Sequence, residues 1–260
     1  MLEGIGTALI TGASGGIGEA FARQLAALGK DLIVVARSQE KLEALAKELR
    51  ASCGVQVQVL VADLAQHDSA RALFEETERL GLEVDFLVNN AGYGKGGDFT
   101  ELGFEVQADM VRLNVNTLME LTWLYLPAMR QRGRGGVINL GSTASWQPVP
   151  YMSVYGATKA FVLSFSEALA EEVRSEGVKI MALCPGATAT GFQSTAGVWE
   201  GQRSSMPGPD EVVRDALRAF EQGKTSFVHG FQNRLVAFFA SRLLPRRFVA
   251  RMAARVVGAH

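Results

Sequence analysis

The sequence predicts an α/β fold: a doubly wound parallel sheet of about seven strands, with helices on both faces, in a single domain. Three observations carry that prediction. Short apolar runs alternate with amphipathic helical patterns along most of the 260 residues. Several of the runs, such as Leu32-Ile33-Val34-Val35-Ala36, contain no polar residue, as expected of strands buried on both faces. A glycine-rich turn joins the first run to the first helical pattern.

Thr7 to Ile10 reads as the first strand. It leads into Thr11-Gly12-Ala13-Ser14-Gly15-Gly16-Ile17-Gly18, followed by a helix with Ala20, Phe21, Leu25 and Leu28 on its apolar side. Strand, glycine turn and helix in that order are the setting a dinucleotide phosphate site requires, because glycine lets the backbone approach the pyrophosphate and the helix start offers free N–H groups; the other reading of the glycines is a tight loop. The spacing here is Gly-x-x-x-Gly-x-Gly. Arg37 and Ser38 follow the second strand. An acidic residue there suits the ribose hydroxyl of NAD, whereas an arginine accommodates the 2′-phosphate of NADP; the other reading of Arg37 is a solvated loop cation.

Residues 39–51 form the second helix, Val55 to Val61 the third strand, residues 66–80 the third helix and Val84 to Val88 the fourth strand. Asp63, beside Leu64, either accepts a bond from an adenine amino group or caps the helix that follows. Asn89-Asn90-Ala91-Gly92 ends the fourth strand, and its amides and glycine suit a ligand lying close to the backbone. A long helix, not necessarily straight, runs from about Glu101 to Arg130 and carries Asn114 among apolar neighbours, so that amide must find backbone, water or a ligand. Val137 to Leu140 is the fifth strand, and Ser142 stands at its end.

Tyr155 and Lys159 lie four apart at the head of a helix running to about Ser175, and so share one face. An ammonium beside a phenol favours the phenolate and brings the hydroxyl nearer to acid–base work. Lys179 to Leu183 is the sixth strand, ending in Cys184-Pro185-Gly186. Residues 187–208 read as an active-site lid or binding loop. A helix over about 210–221 and a short strand at Ser226-Phe227-Val228 complete residues 1–230.

Residues 231–260 form a basic helical tail expected to pack on the same domain. Between 222 and 260 there are seven cations and no Asp or Glu, although the whole chain carries a net charge of −1. Pro245 breaks an apolar stretch and opens a second helix, where Arg247, Arg251 and Arg255 line one face beside Phe248, Met252 and Val256. Such a helix either lies on an anionic membrane surface or packs over the substrate cleft or a neighbouring subunit.

Near-neutral charge argues against nucleic acid as a partner. Two cysteines, Cys53 and Cys184, and three scattered histidines suggest neither a disulfide framework nor a metal site. No apolar run approaches the roughly 20 residues of a membrane span, and no leader is apparent, so the expected location is the cytoplasm.

The ordered set Thr11-Gly12-x-x-x-Gly16-Ile17-Gly18, Asp63-Leu64, Asn89-Asn90-Ala91-Gly92, Asn114, Ser142, Tyr155-x-x-x-Lys159 and Pro185-Gly186 with Thr190 resembles the short-chain dehydrogenase/reductase family over residues 5–230. The resemblance implies a Rossmann fold and an enzyme that moves hydride between NADP(H) and a carbonyl or alcohol. It makes Tyr155 the general acid/base. Lys159 lowers its pKa and holds the nicotinamide ribose, Ser142 orients the carbonyl, and Asn114 holds a relay water. It adds Ser14, Thr188 and Thr190 to the cofactor contacts and implies a homodimer or homotetramer. The basic residue that many NADP-preferring members carry before the second motif glycine is absent, since that position is Gly15, so the NADP expectation rests on Arg37. Trp146, Tyr151, Met152, Phe192 and Trp199 either wall an apolar substrate pocket or serve in lid or interface packing. The alternatives are a reductase of carrier-bound 3-oxoacyl groups and a catalytically silent cofactor-binding regulator.

Overall fold

A computed structural model describes residues 2, 4–198 and 206–258. Seven parallel strands form one sheet: β1 (Thr7–Thr11), β2 (Asp31–Ala36), β3 (Val57–Val61), β4 (Phe86–Asn89), β5 (Gly135–Leu140), β6 (Val178–Cys184) and β7 (Ser226–Val228), in the order β3-β2-β1-β4-β5-β6-β7. The order reverses between β1 and β4, which opens a crevice at the strand C-termini. Strand alternation feeds two cores. Ala8, Ile10, Leu32 and Val34 point to one face, under α1 (Gly16–Ala27), α2 (Gln39–Cys53) and α8 (Pro209–Glu221). Leu9, Ile33, Val35 and Leu87 point to the other, under α3 (Ser69–Arg79), α5 (Leu118–Arg132) and α6 (Ser153–Glu172).

The expected long helix is three pieces. α4 (Phe104–Val111) passes into a π-helical segment, Arg112–Thr117, and then into α5. Asn114 lies in the π segment, a distortion common at functional sites. The third and fourth strands begin two residues later than expected, at Val57 and Phe86, and the third helix begins at Ser69. Asp63 therefore caps no helix. Its carboxylate accepts from Ala65 N at 3.2 Å and Gln66 Nε2 at 3.1 Å, closing a turn ahead of α3.

The lid segment holds a short helix, α7 (Phe192–Ala196). The tail folds as two helices, α9 (Phe231–Arg242) and α10 (Arg246–Val257), with Pro245 at the N-cap of the second. Ala237 packs with Leu163, Ala182, Cys184 and Val228, which fixes α9 beside the β6 and β7 ends. Val257 joins the cluster of Met110, Val149, Met152 and Tyr155, which fixes α10 beside the head of α6.

Candidate active site

The glycine turn is as tight as its sequence demands. Gly12 and Gly16 take φ of +68° and +58°, a region that L side chains rarely adopt. A Cβ on Gly18 would lie 2.3 Å from Gly12 O, so α1 can meet the turn only through a glycine. Asn90 ties the turn to β4: its Nδ2 donates to Thr11 O at 2.8 Å and Gly12 O at 3.2 Å, and Thr11 Oγ1 accepts from Asn90 N and Ala91 N. Gly12, Ser14, Gly16 and Ile17 line one end of a cavity of about 1220 Å³ above the strand ends.

The middle of that cavity carries Asn90, Ala91 and Gly92 on one side and Pro185, Gly186, Thr188 and Thr190 on the other. Ser142, Tyr155 and Lys159 meet there, brought from the end of β5 and the head of α6. Ser142 caps the 3₁₀ turn Thr143–Trp146; its Oγ accepts from Ala144 N at 3.1 Å, and Ser145 Oγ accepts from Ser142 N. Ser145 Oγ in turn donates to Lys159 O at 2.7 Å, so one hydroxyl ties the serine turn to α6. Lys159 Nζ donates to Leu140 O at 2.6 Å and lies 5.8 Å from the centre of the Tyr155 ring.

The electrostatics differ from the sequence expectation. Burial pushes the Tyr155 phenol up to about 12; the Ser142 hydroxyl bond opposes this, and Cys184 adds to it. Burial also pushes the Lys159 ammonium down to about 8, with Cys184 opposing. The neighbouring cation thus does not bring the phenol below its ordinary value here. Removal from water is the largest cause for both groups, and the Lys159 ammonium donates to the Leu140 carbonyl.

Asn114 does not line the cavity. Both of its amide protons are used, on Tyr93 O at 2.9 Å and Thr158 Oγ1 at 3.1 Å, and its Oδ1 accepts from Tyr93 N. The side chain therefore binds the Tyr93 turn to α6, and its Nδ2 has no proton left for a relay water. A Cβ on Gly92 would lie 2.7 Å from Asn114 Oδ1 and 3.7 Å from Lys159 Nζ, so that glycine preserves the approach.

Of the expected pocket wall, Met152 and Phe192 line the cavity, and the Phe192 ring lies 5.4 Å from that of Tyr155. Trp146 does not; it packs against the Cys184 and Leu163 cluster behind the serine turn. Tyr151 is also outside. Its backbone is left-handed, at φ +64°, and its ring lies against Gly258, where a Cβ would come within 2.7 Å of Cε2. Trp199 falls outside the described residues. Arg37, Ser38, Asp63 and Leu64 lie beyond the cavity lining, at the ends of β2 and β3, with Arg37 exposed and its charge reaching the Tyr93 phenol. Lys41, on the first turns of α2, does line the cavity. Its signal was a cation four residues after Arg37 on the predicted helix.

The apolar wall comes mainly from the tail. Leu235, Val236, Phe239, Leu244, Phe248 and Met252 line the end of the cavity away from the glycine turn. The sequence marks them as an apolar stretch and, after Pro245, a basic amphipathic helix, with packing over the substrate cleft as one of its readings.

A family model described as short chain dehydrogenase matches residues 6–201. A 7beta-hydroxysteroid dehydrogenase of Clostridium sardiniense is 32% identical over 233 residues, covering 87% of this chain and 86% of the relative. A very-long-chain 3-oxoacyl-CoA reductase of Anas platyrhynchos is 34% identical over 219 residues, covering 81% of this chain and 67% of the relative. Among solved structures, a short-chain dehydrogenase from Sphingobium yanoikuyae in complex with NADPH superposes with a TM-score of 0.83 at 35% identity, covering 92% of this chain and 93% of its own.

Proposed function

The chain belongs to the short-chain dehydrogenase family of oxidoreductases, and we propose that it is an NADP(H)-dependent reductase of bulky, lipophilic carbonyl compounds. The observation that carries this reading is one continuous cavity. It has a glycine phosphate cradle at one end, Ser142, Tyr155 and Lys159 in the middle, and apolar tail side chains at the other.

The residues fit a dinucleotide. At Gly12, Gly16 and Gly18 a Cβ would crowd Asn90, Thr190 and Gly12 O, so the cradle keeps its tight turn only with glycine there, and the start of α1 faces it with free N–H groups. Gly12, Ser14, Gly16, Ile17 and Gly18 would hold the pyrophosphate, and Asp63, Leu64, Asn90 and Ala91 the adenosine side. Gly92, Pro185, Gly186, Thr188 and Thr190 would hold the nicotinamide side. Arg37, Ser38 and Lys41 supply the cations and hydroxyl for a 2′-phosphate. The S. yanoikuyae relative, bound to NADPH, supports this preference by analogy. When bound, the cofactor supplies the hydride.

The protein's own part is the proton. The Tyr155 phenol, pushed up to about 12 by burial, is protonated at neutral pH, which is the form that donates to a carbonyl oxygen. The Ser142 hydroxyl donates to the same oxygen as charge develops on it, where a fixed donor stabilises most. The Lys159 ammonium stabilises the phenolate left behind, and its charge holds the ribose hydroxyls in place. Met119 and Trp123, one turn apart on the outer face of α5 and both exposed, support self-association through the long helices.

The test is NADPH oxidation by the purified protein against steroid-like ketones, other bulky ketones and 3-oxoacyl thioesters, with NADH in parallel. Bulky ketones are expected to turn over with NADPH. Preference for the thioesters would select the 3-oxoacyl reading. NADPH binding without turnover of any compound would select the silent regulator.

A further inference from the structure

The tail carries a surface that the reductase chemistry does not need. Of the 19 large hydrophobic side chains exposed among the described residues, ten lie between Phe231 and Val256. Singly exposed apolar residues are ordinary, but a concentration of this kind marks an interaction surface. Phe231, Phe238 and Leu243 are 67%, 54% and 60% exposed and do not line the cavity, so substrate contact does not account for them.

The helical register sorts α10 into three rows. Val249, Ala253 and Val257 are buried against the protein. Phe248, Met252 and Val256 form an exposed apolar row one residue back, and Arg247, Arg251 and Arg255 form an exposed row one residue further back. An apolar stripe flanked by long cations is the pattern of a helix lying in a lipid interface, with arginines reaching the headgroups. From residue 222 to 260 the seven cations are balanced by no acidic residue, although the rest of the chain is net acidic. Among the described residues no helix is long and apolar enough to cross a membrane, so the fitting geometry lies on the surface. The same exposed side chains, Phe239, Leu244, Phe248 and Met252 among them, form the mouth of the cavity.

We infer that the α9–α10 hairpin seats the protein on an anionic lipid surface, with the cavity mouth turned toward the acyl region so that lipophilic substrate enters from the membrane. Charge complementarity selects this occupant over a second copy of the chain, because two such surfaces would bring like-charged arginine rows together. The exposed row on α5 offers self-association a separate face. The direction of substrate entry rests on the reductase reading; the lipid contact does not.

The full chain is sedimented with phosphatidylcholine vesicles, with and without phosphatidylglycerol. Binding to the anionic vesicles is expected, and should fall at least about tenfold between ~50 and ~500 mM salt as the arginines are screened. Two double variants separate charge from apolar contact: Arg247→Glu with Arg251→Glu, and Phe238→Ser with Leu243→Ser. Each should lower vesicle binding by about tenfold or more, while turnover of a water-soluble ketone, assayed without vesicles, stays unchanged. Equal recovery in the supernatant with and without anionic lipid would overturn the inference. So would binding that ignores both variants, or light scattering showing a dimer that the Phe238 and Leu243 changes dissociate in a protein that never binds vesicles. Absent ketone turnover would instead count against the reductase reading and leave the vesicle result standing.

Discussion

Two buried tyrosines, in different apolar clusters, are shifted to the same value by the same force. Tyr125 on α5 and Tyr155 on α6 both stand at about 12, with burial the largest cause in each. Their surroundings differ. Tyr125 is sealed in the core with Phe74 and Leu121, and its hydroxyl lies 2.9 Å from Thr77 Oγ1. Because Thr77 Oγ1 gives its proton to Phe74 O, Tyr125 must be the donor in that pair. Tyr155 opens onto the cavity beside Ser142, with an ammonium 5.8 Å from its ring. A shifted pKa alone therefore does not identify an acid/base; access to a reacting oxygen and a charge placed to receive the phenolate do.

The comparison is broken most severely at Lys159. Lys159→Met is expected to lower turnover by about two to four orders of magnitude, the range of general acid–base assistance. It should also stabilise the fold. The ammonium's folded pKa, about 8, lies below its ordinary value of 10.5, so wild type carries a penalty that is full below about pH 8 and vanishes as pH rises toward 10.5. After allowance for the bond to Leu140 O, the variant should gain ~1–2 kcal/mol at pH 7, or a few degrees in melting temperature, and the gain should close above pH 8. Equal melting temperatures at pH 7 would mean that the charge is better solvated than the structure implies.

Gly18→Ala addresses the other end of the cavity. With the new Cβ 2.3 Å from Gly12 O and 2.5 Å from Asn90 Nδ2, the turn must open. Overpacking costs of ~1–3 kcal/mol, if borne by the bound state, translate to roughly five- to 150-fold weaker NADPH binding, readable by fluorescence titration. Unchanged affinity would move the phosphate site elsewhere. The smallest effect belongs to the sealed tyrosine. Tyr125→Phe removes one hydrogen bond and should cost about 1 kcal/mol, a few degrees in melting temperature, with turnover intact.

Much of this was legible in the sequence because it is local. Strand alternation, the glycine turn and the Tyr155/Lys159 spacing each follow from neighbours within a few residues, and all seven strands are present where the apolar runs lie. The π segment at Arg112–Thr117 was not legible, since no proline or glycine marks it. Nor were the inward turn of Trp146 and the left-handed Tyr151, which depend on distant packing; a tail packed over the substrate cleft is one of the readings the sequence leaves open, and α9 and α10 do line the cavity. The direction of the Tyr155 shift belongs with these. The spacing correctly brought a cation to the phenol, but how far both would be removed from water is a property of the whole fold.

The central claim is that the Tyr155 hydroxyl gives the proton to the substrate oxygen. The most direct measurement is single-turnover NADPH oxidation by Tyr155→Phe on a ketone that the wild type reduces, beside an NADPH titration of both proteins. The account predicts a rate lower by about two to four orders of magnitude with NADPH affinity within a few fold of wild type. A near-wild-type rate in that variant would contradict it.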